Sequence, residues 1–150
     1  GSPIDEVQLA VACYMHDFGM AFMPISVLHK QEKLDEIELN LMRSHVYKSA
    51  RLLENLTQWD EARKIVMQHH ERIDGSGYPL GLKEQDICDG AKLLAILDIF
   101  DAITHSRAHK SHVQRPKKKA VIEINRLAEG QFSTKWMQAF NSGMAALLTR

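Results

Sequence analysis

Residues 69–79 read HHERIDGSGYP. Two adjacent histidines at the end of a predicted helix run straight into a loop of turn-formers, Asp74, Gly75 and Gly77, which closes on Tyr78-Pro79. Just upstream, residues 60–72 (DEARKIVMQHHER) carry Ala62, Ile65 and Val66 as an apolar stripe. Four residues beyond Ile65 and Val66 stand His69 and His70, so both imidazoles extend the inward face. A single inward histidine is ordinarily satisfied by a backbone carbonyl. Two together, ahead of a glycine-rich loop, point to ligand binding.

Toward the N-terminus, residues 4–18 (IDEVQLAVACYMHDF) open with Asp5 and Glu6, which suit a helix start. This helix is apolar nearly all round, which predicts a central position, and it ends on His16 and Asp17. Gly19 and Pro24 break it. A second long helix is predicted over residues 34–56, with the stripe Leu34, Ile37, Leu41, His45, Ser49, Leu52 and Leu56, so His45 points inward. Downstream, a helix over residues 91–107 has the face Ala91, Leu94, Ala95, Asp98 and Ala102, apolar except for Asp98. A buried unpaired carboxylate costs several kcal/mol, so Asp98 requires a partner.

The stretch 105–119 is rich in histidine and lysine and reads as a solvated loop with a first helical turn at Pro116. Amphipathic helices over residues 116–129 and 135–148 close the chain, with Trp136, Met137, Phe140, Met144 and Leu147 as core. Neither an internal repeat nor an alternating strand stands out. The fold class is all-α, a single-domain helical bundle over residues 1–150.

Lysine plus arginine equals aspartate plus glutamate at 19 each, which removes any bulk electrostatic reason to expect DNA or an anionic membrane as partner. Two cysteines are too few for a disulfide framework, and no apolar run approaches the roughly 20 residues of a membrane helix. A cytoplasmic location is expected.

The inward polar residues are His16, Asp17, His45, His69, His70 and Asp98, spread over four predicted helices. Mixed imidazole and carboxylate ligands without thiolates favour iron, manganese, nickel or zinc over calcium, and a carboxylate can bridge two cations. Six ligands suit two divalent metals. Such a pair can bind a phosphate's oxygens and hold a hydroxide in line with the leaving group, which is the chemistry of phosphoester hydrolysis.

His16-Asp17, His45, His69-His70, the loop Asp74-Gly75-Ser76-Gly77-Tyr78-Pro79 and the segment LDIFDA at 97–102, in that order, resemble the HD-GYP branch of the HD phosphohydrolases. Gly130, Gln131 and Phe132 resemble the family's closing motif. The resemblance implies a helical bundle around an iron or manganese centre that hydrolyses cyclic di-GMP to the linear dinucleotide pGpG or to GMP. By position it implies His16, Asp17 and Asp98 as ligands of one metal, with Asp17 bridging to a second held by His45, His69 and His70. Arg107 and Lys110 match positions that touch substrate phosphates, and Glu71 and Asp101 match residues that steady ligands or loop. Gly75, Gly77, Tyr78 and Pro79 would set the loop against the site. The resemblance further implies GGDEF-domain proteins as partners through that loop and an upstream sensor or receiver domain.

The sequence departs from the family at two places. Met20 stands where the family has a lysine that approaches the scissile phosphate, which predicts weakened turnover. Only fifteen residues precede His16 and none is a histidine, whereas the family has an earlier helix supplying one. Gly1-Ser2 resembles a cloning remnant, so an excised output domain is expected. Two alternatives follow: a degenerate module that binds cyclic di-GMP or GGDEF domains with little turnover, and a phosphohydrolase for another nucleotide.

Overall fold

The computed structural model describes residues 4–105 and 117–149. Arg107 and Lys110 lie outside the described residues. Among the described residues eight α-helices follow in order: α1 (Glu6–Met15), α2 (Ile25–Leu28), α3 (Glu36–Arg43), α4 (His45–Arg51), α5 (Asp60–Gln68), α6 (Asp89–His105), α7 (Lys117–Leu127) and α8 (Thr134–Leu148). Short 3₁₀ turns at Phe18–Phe22 and Thr57–Trp59 precede α2 and α5. Among the described residues no strand forms; an isolated antiparallel bridge joins Asp74 to Lys83. The fold is all-α, as expected.

Local chemistry sets the helix starts. Asp5 caps α1 by accepting from the backbone N–H groups of Val7 and Gln8. At α3, Asp35 accepts from Glu38 N–H while the Glu38 carboxylate accepts from Asp35 N–H, a reciprocal capping box.

Two hydrophobic clusters hold the bundle. The first gathers Ala12 of α1, Ala50 of α4, Ala62, Ile65 and Val66 of α5 and Ala91 and Leu94 of α6. The second gathers Ala95 and Ile96 of α6, Ile124 of α7 and Met137, Phe140 and Met144 of α8. Helix α6 therefore belongs to both. Buried or bridging polar groups lock the joints: Gln8 donates to the Gln58 carbonyl at 2.7 Å and accepts from Ala62 N–H at 2.8 Å, tying α1 to the start of α5. Asp89 accepts from Lys135 and from the Trp136 indole, each at 3.0 Å, tying α8 to the start of α6.

Three expectations need correction. The helix predicted over residues 34–56 is two helices broken at Ser44, whose hydroxyl donates to the Leu41 carbonyl at 2.6 Å. A serine that satisfies the last-turn carbonyl offers the backbone an alternative to helix continuation. The stripe fails with it: Ile37 is 80% exposed and Leu52 and Leu56 are largely open. Helix α1 is not central either, since Ala12 alone is fully buried while Val7 and Tyr14 are 60% and 84% exposed. A helix apolar on every side carries no facing information, and α5 and α6 cover one side of it. Leu147 is exposed rather than core.

Gly19 lets the turn after α1 press directly on α4. A methyl group there would come within 2.2 Å of the His45 carbonyl oxygen, and its N–H donates to Ser49 Oγ at 2.7 Å. Gly19→Ala should therefore destabilise the fold by about 3 kcal/mol or more, beyond ordinary overpacking because the obstacle is backbone. Gly143→Ala, within α8 and with nothing inside 4 Å of the added methyl, should instead be neutral or stabilising by about 0.5–1 kcal/mol. Urea denaturation of the two variants checks both; equal stability would refute the packing account.

Candidate metal centre

Three of the histidines sit at helix ends and are held alike. His16 caps the end of α1, His69 caps the end of α5, and His45 follows the break after α3. In each the ring Nδ1 faces the carbonyl three residues earlier: Cys13 at 2.8 Å, Met42 at 2.7 Å and Val66 at 2.6 Å. A carbonyl only accepts, so Nδ1 carries the proton and Nε2 presents its lone pair. These Nε2 atoms converge. His45 Nε2 lies 3.3 Å from Asp17 Oδ1, and His16 Nε2 lies 3.6 Å from both Asp17 Oδ2 and Asp98 Oδ1. Asp98 thus faces His16 Nε2, where a proton or a cation between them would supply the partner its burial requires.

The donor atoms form two overlapping groups, each within a 4.8 Å span: Asp17, His45, His69 and His70 in one, His16, Asp17 and Asp98 in the other. Asp17 belongs to both. All six inward residues named from the sequence are therefore brought together. The rings crowd one another, with His69 and His70 centroids 4.0 Å apart and His45 and His70 5.1 Å apart.

The electrostatics fit cation binding. Burial, reinforced by His70, pushes His69 down to about 3, and burial pushes His70 down to about 4. Both stay neutral, the form that ligates. Burial works against a proton on His16, but the Asp98 and Asp17 carboxylates beside it raise it overall. Loss of water raises Asp17, while burial would raise Asp98 too but His16, His70 and His69 together bring it below its ordinary range. His45 Nε2 and His69 Nε2 are buried without a hydrogen-bond partner. Buried lone pairs left unmatched are costly, and a divalent cation between them and Asp17 removes that cost. The residues present fit such an ion.

The 69–79 segment folds over this cluster. Buried Glu71 accepts from Leu80 N–H at 2.6 Å with one oxygen and from Leu82 N–H at 2.9 Å with the other. Gly77 passes so close that a methyl there would meet Arg72 N at 2.4 Å, and Gly75 takes a positive φ of 83°. Asp74 accepts from both the N–H and the hydroxyl of Ser76, and Ile73 N–H donates to the Gln131 carbonyl. Tyr78, joined to Pro79 by a cis peptide, stacks on His70 at 4.8 Å between ring centroids, and burial pushes its hydroxyl up to about 12.

Among the described residues the Asp101 carboxylate, 71% exposed, pairs with His105 one turn later on α6, at 3.0 Å, rather than with one of the six inward residues. A residue that the sequence pattern did not single out stands beside Tyr78: the Arg43 guanidinium lies 5.1 Å from the ring centroid and lines the cavity over His69, His70 and Asp98. A basic residue in the last turn of a helix reads as a partner for the helix dipole, and its place two residues before an inward histidine was the available signal.

Residues 2–130 match the HD domain family model. A cyclic di-GMP phosphodiesterase of Pseudomonas aeruginosa is 35% identical over 89% of this chain and 32% of its own length. A cyclic di-GMP phosphodiesterase of Thermotoga maritima is 34% identical over 91% of this chain and 37% of its own. A 3'3'-cGAMP-specific phosphodiesterase of Vibrio cholerae is 30% identical over 83% of this chain and 27% of its own. The chain thus spans about a third of the length of these relatives. A solved HDG"Y"P protein from Bdellovibrio bacteriovorus shares the fold with a TM-score of 0.66 at 23% identity, over 92% of this chain and 43% of that one.

Glu71→Gln leaves an amide N–H facing one of the two loop N–H groups. It should cost about 1–3 kcal/mol and speed hydrogen exchange at Leu80 and Leu82. Exposed Glu84→Gln should stay within about 0.5 kcal/mol of the wild type. Unchanged exchange at Leu80 and Leu82 would refute the role given to Glu71.

Proposed function

This chain belongs to the HD domain family, in its HD-GYP branch, and on that premise we propose that it hydrolyses cyclic di-GMP with two divalent metal ions. The observation that carries the reading is the pair of overlapping donor groups sharing Asp17. His16, Asp17 and Asp98 would hold one ion, and Asp17, His45, His69 and His70 the other. Iron or manganese suits this nitrogen and oxygen set, with nickel and zinc next. Bound there, the ions would polarise a phosphate and supply hydroxide at neutral pH.

The chain's own residues fix the geometry. Nδ1 hydrogen bonds keep the imidazoles of His16, His45 and His69 from turning, and Tyr78 stacks on His70, so these rings are aimed before substrate arrives. Asp17, half exposed, has one oxygen toward His45 and the other toward His16, and so connects the two groups. Tyr78 closes one side over His70 and limits water there. Met20 lies in the 3₁₀ turn after Asp17 and brings no charge, so the positive charge facing the phosphate comes from the metals and from arginines at the mouth. Exposed Leu80 at the end of the loop is the apolar point that a GGDEF domain would meet. No helix among the described residues is long and apolar enough to cross a membrane, and free Cys13 and Cys88 suit a reducing cytoplasm.

A time course of cyclic di-GMP with manganese-loaded or anaerobically iron-loaded protein should yield linear pGpG or GMP, and Asp17→Ala should lower the rate at least a hundredfold. Product formation that survives in Asp17→Ala would sink the two-metal reading. Metal alone should also stabilise the fold, by about 2.7 kcal/mol at a hundredfold excess over Kd. That gain should shrink most in Asp17→Ala, whose carboxylate both groups share; a full gain there, read by thermal melting, would count against the ligand assignment.

A further inference from the structure

We infer that Arg43 binds the second phosphate of a two-phosphate ring, the one that the metal centre does not touch. The inference rests on the cyclic dinucleotide reading above.

Size gives the first step. The cavity over His69, His70 and Asp98 holds about 150 Å³, whereas pockets that enclose a drug-sized ligand run from about 300 Å³ upward. A cyclic dinucleotide placed there must extend outward. Two directions are open. One leads toward α1 and α6, into a 490 Å³ groove lined by His16, Asp17 and Asp98, the donors proposed for the first ion, with Asp101, Leu94, Leu97 and Phe100. Beyond those donors its described lining holds neither arginine nor lysine, so it offers nothing to a second phosphate. The other leads past Tyr78 and Pro79 into a 240 Å³ cavity lined by Asn40, Ser44 and Tyr47. Arg43 and Tyr78 line both this cavity and the one over the metal centre, so they form the wall between them. Charge selects that direction.

Arg43 is prepared for the task. Its guanidinium lies against the Tyr78 ring, and Tyr78 is itself held against His70. Among the described residues no acceptor takes the guanidinium N–H groups, so two of them can bond phosphate oxygens in parallel. Among the described residues no carboxylate forms an ion pair with it. Arg72 lines the first cavity but not the second, so it does not reach the same place. One phosphate at the metals and the other on Arg43 would span the ring across Tyr78 and fix its register.

The test compares two ligands on metal-loaded wild type, Arg43→Gln and Arg43→Lys, by calorimetry and steady-state kinetics. Cyclic di-GMP carries both phosphates, and GMP carries one. In Arg43→Gln the Kd and KM for cyclic di-GMP should rise roughly tenfold to a hundredfold, the scale of a charge-assisted contact. The Kd for GMP, metal content and melting temperature should hold, and Arg43→Lys should recover part of the loss. Unchanged cyclic di-GMP affinity in Arg43→Gln overturns the assignment and leaves the proposed function standing. Equal losses for both ligands also overturn it, since Arg43 would then serve the metal-side phosphate or the fold. Wild type that binds no cyclic di-GMP overturns the function itself, and the assignment with it.

Discussion

Everything at the centre depends on one repeated hydrogen bond, a histidine Nδ1–H given to the carbonyl three residues earlier at the end of a helix. The bond fixes the tautomer, stops the ring from turning and aims Nε2 away from its own helix. Repeated at the ends of α1, α3 and α5, it makes three lone pairs converge. At His16 and His69 it also sets the negative ends of two helix dipoles, those of α1 and α5, beside the cluster, and each favours a nearby cation. The two buried lone pairs left without donors then make the cluster one that could hold an ion.

The rest of the fold keeps those helix ends in register. The first hydrophobic cluster holds α1, α4, α5 and the first half of α6, and the second grips the other half of α6 between α7 and α8. Asp98 lies on α6 just past the junction of the two, so the carboxylate that reaches His16 is anchored by both cores. Contact without a side chain matters as much. At Gly19 and Gly77 backbone passes backbone too closely for a methyl group, which sets the turn after Asp17 on α4 and the tyrosine loop on residues 71–72.

The site was legible where residue type conflicts with position. Histidine and aspartate in apolar stripes advertise a binding role, and Gly75 and Gly77 after paired histidines advertise a tight loop. The all-α class was equally plain, because prolines and glycines fall between periodic segments. The break at Ser44 was not legible: Leu34 to Leu56 keeps helical spacing through it, and the interruption comes from one hydroxyl bonding back to Leu41. Nor was the placement of α1, whose uniform apolarity specifies burial but no direction. Arg43 and Asp101 failed in opposite ways. A last-turn arginine has an ordinary explanation that conceals its place beside Tyr78, and an aspartate near a ligand helix end finds its partner in His105.

The uncovered side of α1 has a colloidal consequence. Val7, Tyr14, Phe18, Phe22 and Ile25 all stand open to water along one short stretch of chain, in a molecule whose formal net charge at pH 7 is zero. Copies of it then approach without the mutual repulsion that keeps concentrated protein dispersed. A divalent ion held at the centre would add two positive charges, so its occupancy would change how readily the molecules stay apart.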